Sequence, residues 1–268
     1  SPDSWDWLDW GVKETTDNEP IQVAFYYMAL DKAREMALLL GKSDDVKWYE
    51  DRMKSIKTNY DKCFWQNGFY SSNPAKFKDD RANAIAIVSG VASPDKYQQI
   101  VDNVLTKNYY SSPHFEWIVE DAMCLAGEYG KALERMKKQY QSQVDNKKMT
   151  TLYEMFPKGG TYNHAWNAPN AILAKYISGI YPTKPGWKEF VVKPHLVNFK
   201  SIKQTVPSVK GDISLEVSSD ENTKIKLTNP DDTEAVVYLP VPDGKTYKYV
   251  SLNGQKIWTK EKGMSKQV

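Results

Sequence analysis

Apolar residues recur along the first two thirds of the chain at spacings of three and four, the signature of helices with one buried face. Pro20 can occupy a first helical position, and Val23, Tyr26, Tyr27, Leu30, Ala33, Ala37 and Leu40 follow at that spacing until Gly41 ends the run. Ser43 is read as the cap of a second helix, with Val46, Tyr49, Met53, Ile56 and Tyr60 along one face. A third helix is predicted over 79–89 through Ala82, Ile85, Ala86 and Val88. Ser93-Pro94 opens a fourth, carrying Tyr97, Ile100, Val101, Val104 and Leu105. A fifth runs from Pro113 to Gly127, a sixth over 130–143 and a seventh over 164–178.

The pattern changes near residue 185. KEFVVKP, GDISLEV, TKIKLT, EAVVYLP and TYKYVSL alternate or cluster β-branched and aromatic residues, and PDGK and NGQ read as hairpin turns. Helices followed by strands indicate separate layers or domains. The expected division is an α domain over 1–185 and a small antiparallel β-sandwich over 186–268.

The helices also carry an echo. Tyr70-Ser71-Ser72 and Tyr110-Ser111-Ser112 lie 40 residues apart, each after a helix pair, and TTLYEMFPKGGTYNHAW follows at a similar distance. Stacked antiparallel helix hairpins place every second loop on one rim. That geometry would gather WDWLDW, QNGFYSS, SSPHFEW and LYEMF…YNHAW around one opening. Those segments supply Trp5, Trp7, Trp10, Trp117 and Trp166 with Asp6, Asp9, Glu116, Glu154, His114 and His164. Sugars need such a mixture: the C–H face packs on an aromatic ring while carboxylates and imidazoles meet the hydroxyls. Glycoside hydrolysis usually takes two carboxyl groups. The competing reading is that the tryptophans fill the core and the carboxylates cap helices or face solvent. Glu154, between Tyr153 and Met155, is either partly desolvated, which raises a carboxyl pKa, or turned to solvent. His164 also reads as a capping residue, and His195 as structural.

Composition narrows the classes. The chain has 268 residues with 36 Lys+Arg against 34 Asp+Glu, a net charge of +2, too even for a nucleic-acid surface. Mean hydropathy is −0.63 and no run of about 18 apolar residues occurs, so no membrane insertion is expected. Aromatic content of 13% excludes disorder. Cys63 and Cys124 read as buried thiols. No HExxH, HxH, cysteine cluster or phosphate-binding glycine loop occurs, so neither metal nor cofactor is expected. The opening SPDSWDWLDWG has neither the charged nor the apolar region of a signal peptide, and its tryptophans read as a chain cut from something longer.

From Thr150 onward the chain resembles glycoside hydrolase family 78, the α-L-rhamnosidases, at the end of their catalytic domain and in the β domain that follows. The residues that carry this are Thr150-Thr151-Leu152-Tyr153-Glu154, Asn163-His164-Ala165-Trp166, Pro169, Gly179-Ile180-Tyr181-Pro182, Pro185-Gly186-Trp187, Pro194-His195-Leu196 and Val206-Pro207…Lys210-Gly211. WDWLDWG is similar to the family's Gly-Asp-Trp-Leu segment, with Trp5 in place of the glycine. The resemblance implies an incomplete (α/α)6 toroid followed by a β-sandwich, and an inverting hydrolase acting on rhamnose-containing glycosides. It implies Glu154 as general base, His164 as a sugar ligand, and Trp7 and Trp166 as pocket aromatics; Trp117 is the further substrate-binding candidate on the rim. The family's Asp-x-x-x-Arg-Asp-Glu-Arg segment, which carries the general acid, has no match here, and seven helices stand where a full toroid needs twelve. The expectation is a C-terminal part of a longer enzyme, inactive alone, with helix faces exposed for self-association. Another (α/α)6 carbohydrate enzyme and a catalytically silent sugar-binding or structural protein are the alternatives. An export signal, where the whole enzyme has one, would precede this stretch.

Overall fold

In the computed structural model the described residues are 8–9, 17–72, 77–148, 151–156, 168–241, 246–261 and 263–264. Two compact units divide the chain, residues 1–175 and 176–268.

The first unit is helical. Its elements are α1 (Asn18–Leu39), α2 (Ser43–Phe64), α3 (Asp80–Val88), α4 (Tyr97–Ile100), α5 (Pro113–Leu125), α6 (Tyr129–Val144) and α7 (Ala168–Ile172). The segment Pro94–Lys96 leads into α4 as a 3-10 turn, and Val101–Leu105 extends it as a π-helical turn. The odd-numbered helices stand side by side, α1 on α3, α3 on α5 and α5 on α7, while α2 backs α1 and α6 backs α5. This is the inner and outer layering of stacked helix hairpins. Every residue of α3 from Asp80 to Ile87 is buried, as an inner helix flanked on both sides requires.

The sequence pattern located the outer helices better than the inner ones. Along α2, Val46, Tyr49, Met53 and Ile56 are half-buried and Tyr60 is buried, while their neighbours are exposed. The predicted face of α1 is partly wrong. Ile21 and Ala24 join Tyr27, Leu30 and Ala37 in the core, whereas Tyr26 and Leu40 face outward. α1 touches helices on two sides, so apolar residues surround most of it and the period alone does not select the face. Ser43 is the first helical residue of α2, not its cap, which is Lys42. Residues 164–167 of the predicted seventh helix lie outside the described residues. Cys124 is buried as expected, but Cys63, on the outer helix α2, is exposed.

The second unit is a β structure of three three-stranded sheets. β1 (Ile180–Pro182), β2 (Glu189–Val192) and β6 (Glu234–Val237) form the first, β3 (Ser201–Ser208), β4 (Gly211–Ser219) and β5 (Thr223–Thr228) the second. β7 (Tyr249–Leu252), β8 (Gln255–Thr259) and β9 (Gly263–Met264) form the third. Ile180, Phe190 and Val192 from the first sheet meet Ile213, Leu215 and Val217 from the second in one buried cluster. These two sheets are the sandwich, and each such buried side chain contributes roughly 1.5–3 kcal/mol. Pairing is antiparallel except between β2 and β6, which run parallel because three strands of the other sheet intervene in the chain. Gly179 enters β1 at φ +68, and a Cβ there would lie 1.9 Å from the Lys193 carbonyl oxygen. Asn253 and Gly254, both at positive φ, make the NGQ hairpin between β7 and β8. The PDGK turn falls outside the described residues.

Candidate active site

The inner helices begin at one end, and the segments leading into them are joined by buried carboxylates. Asp17, ahead of α1, accepts hydrogen bonds from the Ser71 hydroxyl (2.8 Å), the Ser72 backbone N–H (3.0 Å) and the Ser72 hydroxyl. One hairpin later the pattern repeats. Asp9 accepts from the Ser112 N–H (3.0 Å) and the Ser112 hydroxyl, and Asp80 accepts from the Tyr110 N–H (3.2 Å) and the Ser111 hydroxyl (3.3 Å). The repeated Tyr-Ser-Ser is therefore a structural device: in the first copy both serines hold Asp17, and in the second Ser112 holds Asp9 while Ser111 holds Asp80. Ser112 also caps α5, its oxygen accepting the His114 N–H at 3.1 Å.

Two buried arginines bind these clasps together. Asp79 caps α3, accepts Nε and Nη2 of Arg81 at 2.9 and 3.0 Å, and takes the Asp17 N–H at 3.0 Å. Arg81 Nη1 reaches Asp9 at 3.4 Å. Arg135, from α6, donates to both Glu116 oxygens (2.6 and 2.9 Å), to Asp80 (2.6 Å), to Ser111 Oγ (3.0 Å) and to the carbonyls of Leu105 (2.7 Å) and Asn108 (2.8 Å). Burial disfavours the Arg135 charge, yet Glu116 and Asp80 hold the guanidinium charged well above its ordinary range. Burial pushes the Asp80 carboxyl up to about 6 against the pull of Arg135, with Asp79 and Glu116 adding repulsion. Burial and the neighbouring Glu116 also drive Glu120 well above the usual carboxylate range. Neither Glu120 oxygen has a hydrogen-bond partner among the described residues.

The structure thus sorts the candidates. Glu116 and Asp9, which the sequence placed on the opening, are buried and committed to Arg135, Arg81 and the serine clasps. Trp117, one residue on from Glu116 in the first turn of α5, is 43% exposed. Phe77 and Tyr110, distant in sequence, meet as a tilted ring pair with centroids 4.8 Å apart. Glu154 is half-buried in the segment 151–156, between Tyr153, which is buried, and Met155. Trp7, His164 and Trp166 lie outside the described residues, as do Trp5, Trp10 and Asp6. His195 is structural: its Nδ1 lies 2.7 Å from the Tyr176 carbonyl, and burial lowers its pKa. Among the described residues no group of His, Cys, Asp and Glu is arranged to hold a metal ion, and no helix is long and apolar enough to cross a membrane. A groove of about 400 Å³ on the second sheet presents Lys203, Lys224 and Lys226 beside Glu216, the solvated face of that sheet.

Comparison with known families decides the affiliation. Residues 1–114 match the bacterial alpha-L-rhamnosidase 6 hairpin glycosidase domain, and residues 179–252 match the bacterial alpha-L-rhamnosidase C-terminal domain. The chain belongs to the bacterial α-L-rhamnosidase family. Solved structures share its fold. The α-L-rhamnosidase from Dictyoglumus thermophilum aligns at a TM-score of 0.82 and 19% identity, over 99% of this chain and 32% of its own. The family 78 rhamnosidase of Bacillus sp. GL1 aligns at 0.74 and 21% identity, over 88% of this chain and 28% of its own. The Streptomyces avermitilis α-L-rhamnosidase, solved with L-rhamnose, aligns at 0.72 and 18% identity, over 92% and 26%. The chain therefore spans only 26–32% of the length of these rhamnosidases. No curated protein sequence matches it.

Proposed function

We propose that this chain forms the C-terminal part of an inverting α-L-rhamnosidase, with Glu154 as the general base that activates water. The observation that carries the reading is the pairing of rhamnosidase family matches on both sides of Glu154 with the arrangement of 151–156, where a half-buried carboxylate is flanked by anchored aromatic residues. In an inverting enzyme the two carboxyl groups stand roughly 6.5–9.5 Å apart to admit the attacking water. Arg135 and Arg81 engage Glu116, Asp80, Asp79 and Asp9, so these four serve the fold rather than the role of general acid. The acid comes from residues outside this chain, which alone is then a poor catalyst, since each acid–base group contributes roughly 10²–10⁴-fold. Trp117, Trp7, His164 and Trp166 line the sugar site in this reading. The exposed Leu38, Leu39, Leu40 and Trp48 support a surface through which the chain associates.

The test is hydrolysis of an aryl α-L-rhamnoside by the natural gene product and by residues 1–268 alone, with the anomeric form of released rhamnose followed by NMR. Activity in the gene product with inversion, and none in the isolated chain, supports the reading. Full activity in the isolated chain would refute the placement of the acid. An inactive gene product would favour a sugar-binding protein instead.

A further inference from the structure

The segment that carries Glu154 has no helix or strand of its own, only a single β-bridge position at Tyr153, and side chains from elsewhere help to hold it. Two come from the end of α6 and the turn just beyond it. Gln143 Oε1 accepts the Tyr153 backbone N–H at 2.9 Å, and Asn146 Nδ2 donates to the Tyr153 hydroxyl at 2.9 Å. On the far side of Glu154, the Phe156 ring meets Tyr140 edge-on, with centroids 5.1 Å apart and planes at 78°. Tyr140 and Gln143 are three residues apart and share one helix face. Glu154 is thus bracketed by two residues fastened to a single rigid surface, with Tyr153 turned into that surface and Glu154 left the more exposed of the two.

Gln143 is an unusual choice for its position. It lies on the buried face of α6 with Ala132, Leu133, Met136 and Tyr140, and it is 3% exposed. Its Oε1 is used, but its Nε2 is buried without a hydrogen-bond partner among the described residues. Turning the amide over would aim its NH₂ at the Tyr153 N–H, donor against donor, so the orientation is set. A buried donor left unpaired costs stability that methionine at this position would not incur. Retaining glutamine makes sense where its oxygen has a task.

We propose that Gln143, assisted by Asn146, is a positioning residue for Glu154. Its oxygen fixes the Tyr153 peptide, and through it the direction from which the Glu154 carboxylate meets the attacking water. The inference rests on Glu154 being the general base.

The experiment compares Gln143→Met, Gln143→Glu and Asn146→Ala in the natural gene product, with Glu154→Gln as control, reading kcat, KM, L-rhamnose affinity and melting temperature. Gln143→Met keeps the volume and removes the acceptor, and its kcat should fall by roughly 10–100-fold, the scale of a misplacement of about 1 Å. KM and L-rhamnose affinity should stay within about threefold, because sugar contacts remain. Gln143→Glu retains an acceptor oxygen in either protonation state and should recover most of the rate. Asn146→Ala, at a half-exposed turn where folding is not at stake, should lower kcat less and in the same direction. Unchanged kcat in Gln143→Met or in Asn146→Ala, or equal loss in Gln143→Met and Gln143→Glu, overturns the proposal. So does parallel loss of kcat, rhamnose affinity and melting temperature, which marks a merely structural residue. If unaltered protein hydrolyses no rhamnoside, or Glu154→Gln keeps full rate, the parent reading fails first and takes this inference with it.

Discussion

Replacing Arg135 by methionine removes the cation that neutralises two buried carboxylates at once. Glu116 and Asp80 are both wholly buried, and the guanidinium is their ionic partner, giving three hydrogen bonds of 2.6–2.9 Å to them and three more to Ser111 and two carbonyls. Breaking a buried pair by deleting one partner costs about 3–5 kcal/mol, and here two carboxylates are stranded, so the upper part of that range is expected at pH 7.5. At roughly 2–4 °C per kcal/mol the melting point should drop by about 10–20 °C. The loss must also depend on pH. With the arginine gone the Asp80 carboxyl, already raised by burial, takes up a proton more readily, so part of the loss is recovered as pH falls. Urea unfolding of the variant and the unaltered chain at pH 5 and 7.5 provides the test. A loss below about 1 kcal/mol at pH 7.5, or an equal loss at both pH values, would refute the view that this network is an ionic clasp.

Two further outcomes follow from other buried groups. The Glu120 carboxyl, raised by burial and by Glu116, binds its proton more tightly folded than unfolded. Its contribution is therefore complete below the ordinary carboxylate range and lost as pH rises toward the raised value, as also for Asp80 between its ordinary value and about 6. Glu120→Gln should leave stability unchanged at pH 4 and raise it by on the order of 1 kcal/mol at pH 8; a variant less stable at pH 8 would contradict this. Gly179→Ala should destabilise the β unit by at least about 2 kcal/mol, because φ +68 and the Lys193 carbonyl leave no room for a Cβ, and a loss under half that would refute it.

Much of the architecture is legible in the chain because its helices are punctuated. Proline and serine mark the starts of α4 and α5, and the 3,4 spacing along α2 predicted its less exposed face residue by residue. Strand β3 was not predicted. In SIKQTVPS the inward positions are Ile202, Gln204 and Val206, so a polar residue interrupts the apolar alternation, and Pro207 argues against a strand. Proline is tolerated there because β3 lies at the edge of its sheet. β8 escaped because QKIWT is short and opens on two exposed polar residues. Among the rim carboxylates, Asp9 and Glu116 stood as sugar-ligand candidates beside a structural reading, and the structure places both in buried ion pairs. A carboxylate beside tryptophan reads equally well as a sugar ligand or as half of an ion pair, and the deciding partners, Arg81 and Arg135, are distant in sequence. One signal was available: Arg135 and Gln143 occupy the apolar face of α6, where a polar residue needs a reason. The Tyr-Ser-Ser echo pointed to the clasps, although only the structure shows what each serine holds.

The proposal that Glu154 acts as the base of an α-L-rhamnosidase is addressed directly by one substitution. Glu154→Gln in the natural gene product keeps shape and hydrogen-bonding capacity but removes the basic oxygen. Hydrolysis of an aryl α-L-rhamnoside should fall by at least about 10²–10⁴-fold while L-rhamnose still binds with nearly unaltered affinity. A variant that keeps its rate, or that loses rhamnose binding together with its rate, would contradict the account.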